Sequence, residues 1–172
     1  MRLLFVFVFL LGLVSCGVKP KYYYGEVQFS SPDGKIFYGS TKSLVKRQIL
    51  EKEAKIIETV KQDGQIIPTI LFRKNNTNEF IASSADEDFT GGIIFEEGED
   101  WKWTKWKYNI FLPKEKLILI GKGELLNNII KTEKFLIDEK GEKKVKLTEE
   151  LKELKKKEFT KLWNKQKTKD GE

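Results

Sequence analysis

Short runs of alternating apolar and polar residues follow one another along most of the chain and are separated by turn-forming residues. Val27 and Phe29 alternate with polar neighbours just before the turn sequence Ser31-Pro32-Asp33-Gly34. Asp63-Gly64 separates two further apolar runs, and this dipeptide favours a tight hairpin. Period-two alternation bounded by such turns predicts half-buried strands. No strand–helix–strand spacing occurs, so we predict about eight to ten antiparallel strands in a meander.

Residues 43–62 fit two structures. Val45, Ile49, Ile56 and Val60 lie at helical spacing, which is compatible with an amphipathic helix. The same region also fits a strand over 44–50, a turn at 51–53 and a returning strand over 55–61. Val45, Arg47 and Ile49 then lie at every second position of the first strand, as Ile56, Glu58 and Val60 do in the second. We favour the strand pair because both flanking regions have the strand pattern. Further on, Pro68 predicts an edge strand or a bulge, since proline cannot donate a ladder hydrogen bond.

The end of the chain has a different pattern. Thr148 has the chemistry of a helix N-cap, and Glu149 and Glu150 would then lie in the electropositive first turn. Apolar residues recur on a broad face as far as about residue 165. We therefore predict one C-terminal α-helix over about 149–165 and a polar tail over 166–172. The fold class is mainly β: an antiparallel meander forming a barrel or a strongly curved sheet.

The stretch 101–112 is the most aromatic part of the sequence. Trp101 and Trp103 would share one face of a strand, whereas Trp106 and Tyr108 fall on the other face. A bulge near Thr104-Lys105 would produce such a change of phase, and at least one tryptophan would then face away from the others. The four aromatic residues are either core or the lining of a cavity for a lipid, sugar or aromatic ligand. They are the candidate ligand-binding residues.

The first sixteen residues have the pattern of a secretory signal peptide: a positive start, an apolar run over 3–14 and small Ser15 before Cys16. The run is shorter than the about 20 residues that a membrane-spanning helix needs. Leu13-Val14-Ser15-Cys16 resembles the lipobox of bacterial lipoproteins. The resemblance implies cleavage after Ser15, a diacylglyceryl group on the thiol of Cys16 and, in many bacteria, acylation of its amine. No other cofactor is expected.

The leader defines the expected organisation of the chain and its location. Residues 1–15 form the signal peptide, 16–21 a lipidated tether, and 22–165 a single β-barrel-like domain. The tether spans only a few residues, so the domain would lie close to the bilayer. Gly17 follows Cys16, in place of the Asp that commonly retains lipoproteins in the inner membrane. By this resemblance the location is the cell envelope: the outer membrane of a two-membrane bacterium, or the outer face of a single cell membrane.

Composition excludes several kinds of chemistry. The chain has no histidine, which rules out Ser-His-Asp catalysis and histidine-bound zinc. The net charge of +6 comes from lysine interleaved with glutamate, so nucleic acid is not an expected partner. The acidic stretches Asp86-Glu87-Asp88 and 96–100 lack the spacing of a calcium loop, so no metal ligands are assigned. Ser43 and Lys46 match a Ser-x-x-Lys pattern by chance, and no catalytic residue is assigned.

A meander with glycine-bent strands and a C-terminal helix resembles lipocalins and other calycin-like barrels, over about residues 22–165. The Gly-x-Trp motif of lipocalins is missing, and Tyr24-Gly25-Glu26-Val27 stands in its place. The stretch from residue 90 to Trp106 is also similar to lipocalin-like bacterial lipoproteins. These resemblances imply a membrane-anchored, non-enzymatic protein that binds an apolar or amphipathic ligand. The alternative is an envelope interaction or assembly protein with a packed core, and a third is a carboxylate-dependent hydrolase.

Overall fold

The structure is a computed structural model that describes residues 19–75, 77–83 and 90–166. The predicted signal peptide, the lipobox-like residues up to Cys16, the acidic Asp86-Glu87-Asp88 stretch and the predicted tail from residue 167 lie outside the described residues.

Ten antiparallel strands form a closed barrel in which each strand pairs with its neighbours in sequence and β10 pairs with β1. The strands are β1 (Lys21–Ser30), β2 (Phe37–Leu50), β3 (Lys55–Gln62), β4 (Gln65–Arg73), β5 (Glu79–Ser83), β6 (Thr90–Glu99), β7 (Lys102–Leu112), β8 (Leu117–Leu126), β9 (Ile129–Asp138) and β10 (Lys143–Leu154). One α-helix, α1 (Lys156–Lys165), follows. The predicted antiparallel meander with a single C-terminal helix is therefore confirmed.

The ambiguous region 43–62 is a strand pair, as favoured from the sequence. β2 and β3 are joined by a short 3-10 turn (Glu51–Glu53), and Val45 lies opposite Val60 in the ladder. The next hairpin turns at Asp63 and Gly64, whose φ angles of 49° and 79° are both left-handed, as the predicted tight turn requires. The Thr41 hydroxyl donates to the carboxylate of Asp63 and links this turn to β2.

Pro68 does not lie on an edge strand, because β4 pairs with β3 on one side and with β5 on the other. It lies opposite Thr59 of β3 in a ladder without a register shift. Within the described residues, β5 pairs only with the second half of β4, from Ile70 to Arg73. Pro68 thus lies outside the described β4–β5 pairing, where its missing N–H costs no ladder hydrogen bond with a described residue of β5.

The prediction that a helix begins at Thr148 was wrong. Residues 148–154 continue β10, and α1 begins only at Lys156. Glu149 pairs with Val27 of β1 and Thr132 of β9, so this segment closes the barrel between two strands. The two ladders outweigh the local helix propensity of a Glu-rich segment. The start of the helix is instead marked by Lys155, whose backbone N–H donates to the Glu158 carboxylate at 3.3 Å.

Helix α1 packs on the outside of the barrel, over β1 and β2. The ring of Phe159 lies 4.8 Å from that of Tyr22, and Leu44 beneath the helix is fully buried. At the other end of α1, Lys61 Nζ donates to the carbonyls of Trp163 and Gln166 at 3.0 and 2.7 Å. A cation at a helix C-terminus is electrostatically favourable. Across the described ranges, no helix combines the length and apolarity needed to cross a bilayer.

Candidate ligand-binding cavity

The barrel interior has two dissimilar halves, and the inward-facing residues of β7 run through both. Trp103 and Trp106 lie in a densely packed aromatic half next to the β6–β7 turn. Ile110 and Leu112 lie in the other half, where the interior contains a cavity. Tyr108 stands between the two.

The aromatic half is filled by five rings, here called the aromatic cluster: Phe80, Phe95, Trp101, Trp103 and Trp106. Phe95 stacks on Trp103 with ring centroids 4.2 Å apart, and Phe80 meets Trp103 edge-on at 5.2 Å. At the barrel end, the guanidinium of Arg73 lies 5.1 Å from the Trp101 ring and pairs with Asp100 at 2.9 Å. Offset stacking and edge contacts of this kind stabilise an aromatic core.

The predicted change of phase in β7 is present, but its consequence for the tryptophans was wrong. Trp106 lies opposite Phe95 and Trp103 opposite Gly98, with register shifts in between that leave Thr104 without a partner in the ladder. The extra residue rotates the strand by one position, as a β-bulge does. Trp103 and Trp106 therefore both face the interior, and both are buried.

Gly123 of β8 makes room for this arrangement. A Cβ atom at this position would lie 2.4 Å from Cε2 of Trp106. Any side chain at residue 123 would therefore displace the indole.

The cavity in the second half has a volume of about 240 Å³. Ten apolar residues line it: Val45, Val60, Leu71, Ala82, Ile93, Ile110, Leu112, Leu119, Ile130 and Leu151. Seven polar residues also line it: Ser43, Arg47, Glu58, Thr69, Tyr108, Lys134 and Glu149. Of the four residues predicted from the sequence, Tyr108 lines the cavity, whereas Trp101, Trp103 and Trp106 pack in the aromatic cluster.

Two ion pairs, here called the interior ion pairs, contribute to the cavity wall. Arg47 Nε donates to Glu58 Oε2 at 2.7 Å, and these residues lie opposite each other on β2 and β3. Lys134 Nζ donates to Glu149 Oε2 at 2.8 Å, joining β9 to β10. The Thr132 hydroxyl donates to the same oxygen at 2.7 Å. The four charged side chains are only 13% to 23% exposed.

Burial and ion pairing shift the pKa values of Arg47, Lys134 and Glu149 in opposite directions. Burial alone would lower the pKa of Arg47, but Glu58 raises it above its ordinary value. The pKa of Lys134 is likewise raised, because Glu149 outweighs the effect of burial. Burial would raise the pKa of Glu149, whereas Lys134 and the hydrogen bond from Thr132 hold it below its usual range. Lys134 and Glu149 therefore form a charged pair at neutral pH.

Glu58 and Glu149 face the same cavity, which bears on the hydrolase alternative. A carboxyl group that acts as general acid needs a raised pKa, so that it carries a proton near neutral pH. The pKa of Glu149 is lowered. The Glu58 carboxylate accepts a hydrogen bond from Arg47, so it too is paired with a cation. Both carboxylates of the cavity wall are therefore held in ion pairs.

Those of the remaining sequence candidates that the structure describes do not form a site. Ser43 is buried and faces the interior, whereas Lys46 faces the outside of the same strand. The acidic stretch 96–100 is engaged in ion pairs, which join Glu96 to Lys107, Glu97 to Lys105, Glu99 to Lys102 and Asp100 to Arg73. In the part of the chain that the structure describes, no group of three or more His, Cys, Asp or Glu side chains is arranged to hold a metal ion.

The interior ion pairs were not predicted from the sequence, although the positions of Arg47 and Glu58 in their strands indicate buried charges. Arg47 occupies the same phase as Val45 and Ile49, and Glu58 the same phase as Ile56 and Val60. A charged residue in the inward phase of a predicted strand indicates a buried charge and hence a partner. Glu149 could not be found in this way, because its segment was assigned to a helix.

Comparisons with known proteins support the fold and nothing more specific. No protein-family model and no curated protein matches the chain. The chain is similar to a crystal structure of a protein of unknown function from the DUF3598 family of Nostoc punctiforme PCC 73102. The TM-score is 0.57 with 9% sequence identity over 77% of this chain. The match covers 46% of that protein, so the chain spans less than half of its length.

Proposed function

We propose that the protein is a non-enzymatic binding protein for a small amphipathic ligand, held in the cavity of the barrel. The observation that carries the proposal is the cavity of about 240 Å³ with aliphatic walls and four charged side chains. Apolar walls with a few convergent polar groups are typical of small-molecule sites. A closed barrel supplies a rigid wall for such a site, as in the lipocalin-like proteins that the sequence resembles.

The size of the cavity limits the ligand. An engineered cavity of about 150 Å³ accommodates benzene in another protein. Scaling from that case, a cavity of 240 Å³ suits a ligand with on the order of ten non-hydrogen atoms. We therefore propose a short-chain amphiphile rather than a long-chain lipid.

We also propose that Cys16 carries a lipid anchor that places this cavity next to a membrane in the cell envelope. The support is the lipobox resemblance of Leu13-Val14-Ser15-Cys16. One acyl chain gives marginal attachment and two or more give stable anchoring. The Cys16→Ala variant should lose palmitate labelling and leave the membrane fraction or remain uncut. Labelling and membrane retention that survive this change would contradict the anchor.

Ligand binding is tested by filling the cavity. Ala82 lines the cavity and Ile81 faces outward beside it, 43% exposed. Ala82→Phe should abolish retention of small amphiphiles in native mass spectrometry, whereas Ile81→Phe should leave it unchanged. If the protein retains no amphiphile, or if both variants bind as well as the original protein, the proposal fails.

A second candidate function is favoured by the outer surface. Four apolar side chains on adjacent strands are 39% to 54% exposed: Ile70, Phe72, Ile81 and Ile94. Phe72 and Ile81 are direct neighbours across β4 and β5. Exposed apolar patches of this kind often mark interaction surfaces. Crosslinking in cells would detect a stoichiometric partner, and Phe72→Glu should abolish it if the alternative is correct.

A further inference from the structure

The interior ion pairs leave hydrogen-bond donors unused. A guanidinium carries five N–H donors, and only Nε–H of Arg47 finds an acceptor among the described residues. The Arg47 guanidinium lies 6.0 Å from the Tyr23 ring and 5.7 Å from the Trp106 ring, so two aromatic rings flank it. Neither Nη group donates a hydrogen bond to any of the described residues. Lys134 Nζ makes one hydrogen bond to a carboxylate and has further N–H donors.

The same pairs also leave acceptors unused. Arg47 bonds only Oε2 of Glu58, and Lys134 and Thr132 both bond Oε2 of Glu149. The two Oε1 atoms accept no hydrogen bond from the described residues. Among the described residues, Gln166 Oε1 is the one side-chain nitrogen or oxygen that is both buried from solvent and without a hydrogen-bond partner. The unused atoms of the interior ion pairs therefore keep accessible surface, and all four residues line the cavity.

The charges of the interior ion pairs in the cavity wall sum to zero. Two cations, Arg47 and Lys134, face two carboxylates, Glu58 and Glu149, and each cation interacts with both carboxylates. The other titratable groups at the cluster are the phenols of Tyr23 and Tyr108, whose pKa values are raised by burial. A ligand group with a single charge would therefore enter a buried site that has no spare counter-charge, which is costly.

We infer that the cavity selects a ligand whose polar head has no net charge and both donates and accepts hydrogen bonds, such as a primary amide, over a carboxylate or an ammonium head on the same chain. This inference rests on the proposed ligand-binding function and specifies its ligand. An amide oxygen accepts from the unused N–H groups of Arg47 or Lys134, and its NH₂ group donates to an unused Oε1. The alkyl chain lies against the aliphatic wall that ends at Leu112 and Leu119.

The test is a matched series with one chain length, namely octanamide, octanoate and octylamine, titrated into the purified full chain by calorimetry at neutral pH. We expect octanamide to bind at least about tenfold more tightly than either charged compound. Octanoate or octylamine binding as tightly as octanamide would overturn the inference and leave the proposed binding function standing. No binding by any of the three, with no ligand retained in native mass spectrometry, would overturn both.

Variants that change the charge of the wall should change the ranking. Glu58→Gln leaves one extra positive charge and should favour octanoate, whereas Lys134→Met leaves one extra negative charge and should favour octylamine. Lys107→Met removes a lysine from the outer face of β7, where Lys107 pairs with Glu96 and is 62% exposed. This control should keep the preference for octanamide.

A single change can unfold the barrel by leaving a buried charge unpaired, so the double variant Lys134→Met/Glu149→Leu is also needed. It removes one ion pair and keeps the wall neutral, and we expect it to keep the preference for octanamide over both charged compounds. A double variant that prefers a charged compound would contradict the role of charge balance, even if neither single variant folds.

Discussion

The aromatic cluster and the cavity occupy the same barrel and share strand β7, yet side chains fill the first and leave space in the second. Around Trp103, rings fill the interior at contact distance, and the glycine at residue 123 is required to make room for an indole. Around Tyr108, the wall is aliphatic and charged and encloses about 240 Å³. Buried ion pairs cost desolvation energy and are poor stabilisers compared with apolar packing. We therefore expect the aromatic half to contribute more to stability than the cavity half, where we propose that a ligand binds.

Truncating Trp103 should show the largest difference between the two halves. Trp103→Ala removes a buried ring from a filled cluster and should lower the free energy of unfolding by about 4 kcal/mol. Leu119→Ala removes a half-buried side chain that already borders the cavity, so it loses fewer contacts and should cost about 1–2 kcal/mol. Urea unfolding measures both. Equal losses would mean that the cavity half is packed as tightly as the aromatic half.

Breaking one interior ion pair is the next most informative change. Lys134→Met leaves the Glu149 carboxylate buried without its cation and should cost about 3 kcal/mol. The double variant Lys134→Met/Glu149→Leu removes both charges and should lie within about 1 kcal/mol of the original protein. Chemical unfolding of the single and double variants measures the contrast. A double variant as unstable as the single one would show that the pair itself stabilises the fold.

Much of the barrel was predictable because strand periodicity and turn chemistry are local. Asp63-Gly64 identified a hairpin, and the strand pattern of the regions flanking 43–62 favoured strands over a helix there. The end of β10 was not predictable, because residues 148–154 have local helix signals and become a strand only through pairing with β1 and β9. Barrel closure joins β1 to β10, which are far apart in sequence, and no local pattern encodes it.

The candidate site was predictable only in part, for a similar reason. The aromatic residues of 101–108 were found because aromatic side chains are conspicuous, but periodicity names the inward face without giving the free volume behind it. The bulge at Thr104 sends Trp103 and Trp106 into one cluster, so Tyr108 alone of the four reaches the cavity. The alternation of residues places Arg47 and Glu58 on the inward face of their strands. That they lie opposite each other depends on the register of β2 and β3.

Adding volume should also cost more stability in the aromatic half than in the cavity half. Gly123→Ala places a Cβ atom 2.4 Å from the Trp106 ring, so the indole must move, and we expect a loss of about 1–3 kcal/mol. Ala82→Leu adds a larger group where the cavity has room, and it should change stability by less than about 1 kcal/mol. Thermal unfolding of the two variants checks this. A loss on Ala82→Leu equal to that on Gly123→Ala would show that the cavity cannot accept the added side chain.

Acid should reduce the contribution of the cavity half to the free energy of unfolding more than that of the aromatic half. The folded pKa of Glu149 lies below its ordinary value. Its contribution to stability is therefore present above the unfolded pKa of about 4.3 and is lost as the pH falls through the folded value. Lys134 has a raised pKa, so its contribution stays constant at acid pH. The free energy of unfolding should consequently fall as the pH drops below about 4.3 and through the folded pKa of Glu149.

Two variants assign this acid sensitivity to one half. Surface carboxylates with lowered pKa values, such as Asp33 and Asp138, contribute the same background in every variant. Lys134→Met/Glu149→Leu should therefore lose less stability on acidification than the original protein, because the Glu149 contribution is gone. Trp103→Ala should keep the original pH slope at a lower overall stability, because Trp103 does not titrate. If the free energy of unfolding fell equally with pH in all three proteins, Glu149 would not contribute to the loss of stability in acid. The charged wall would then be no more pH-sensitive than the aromatic cluster.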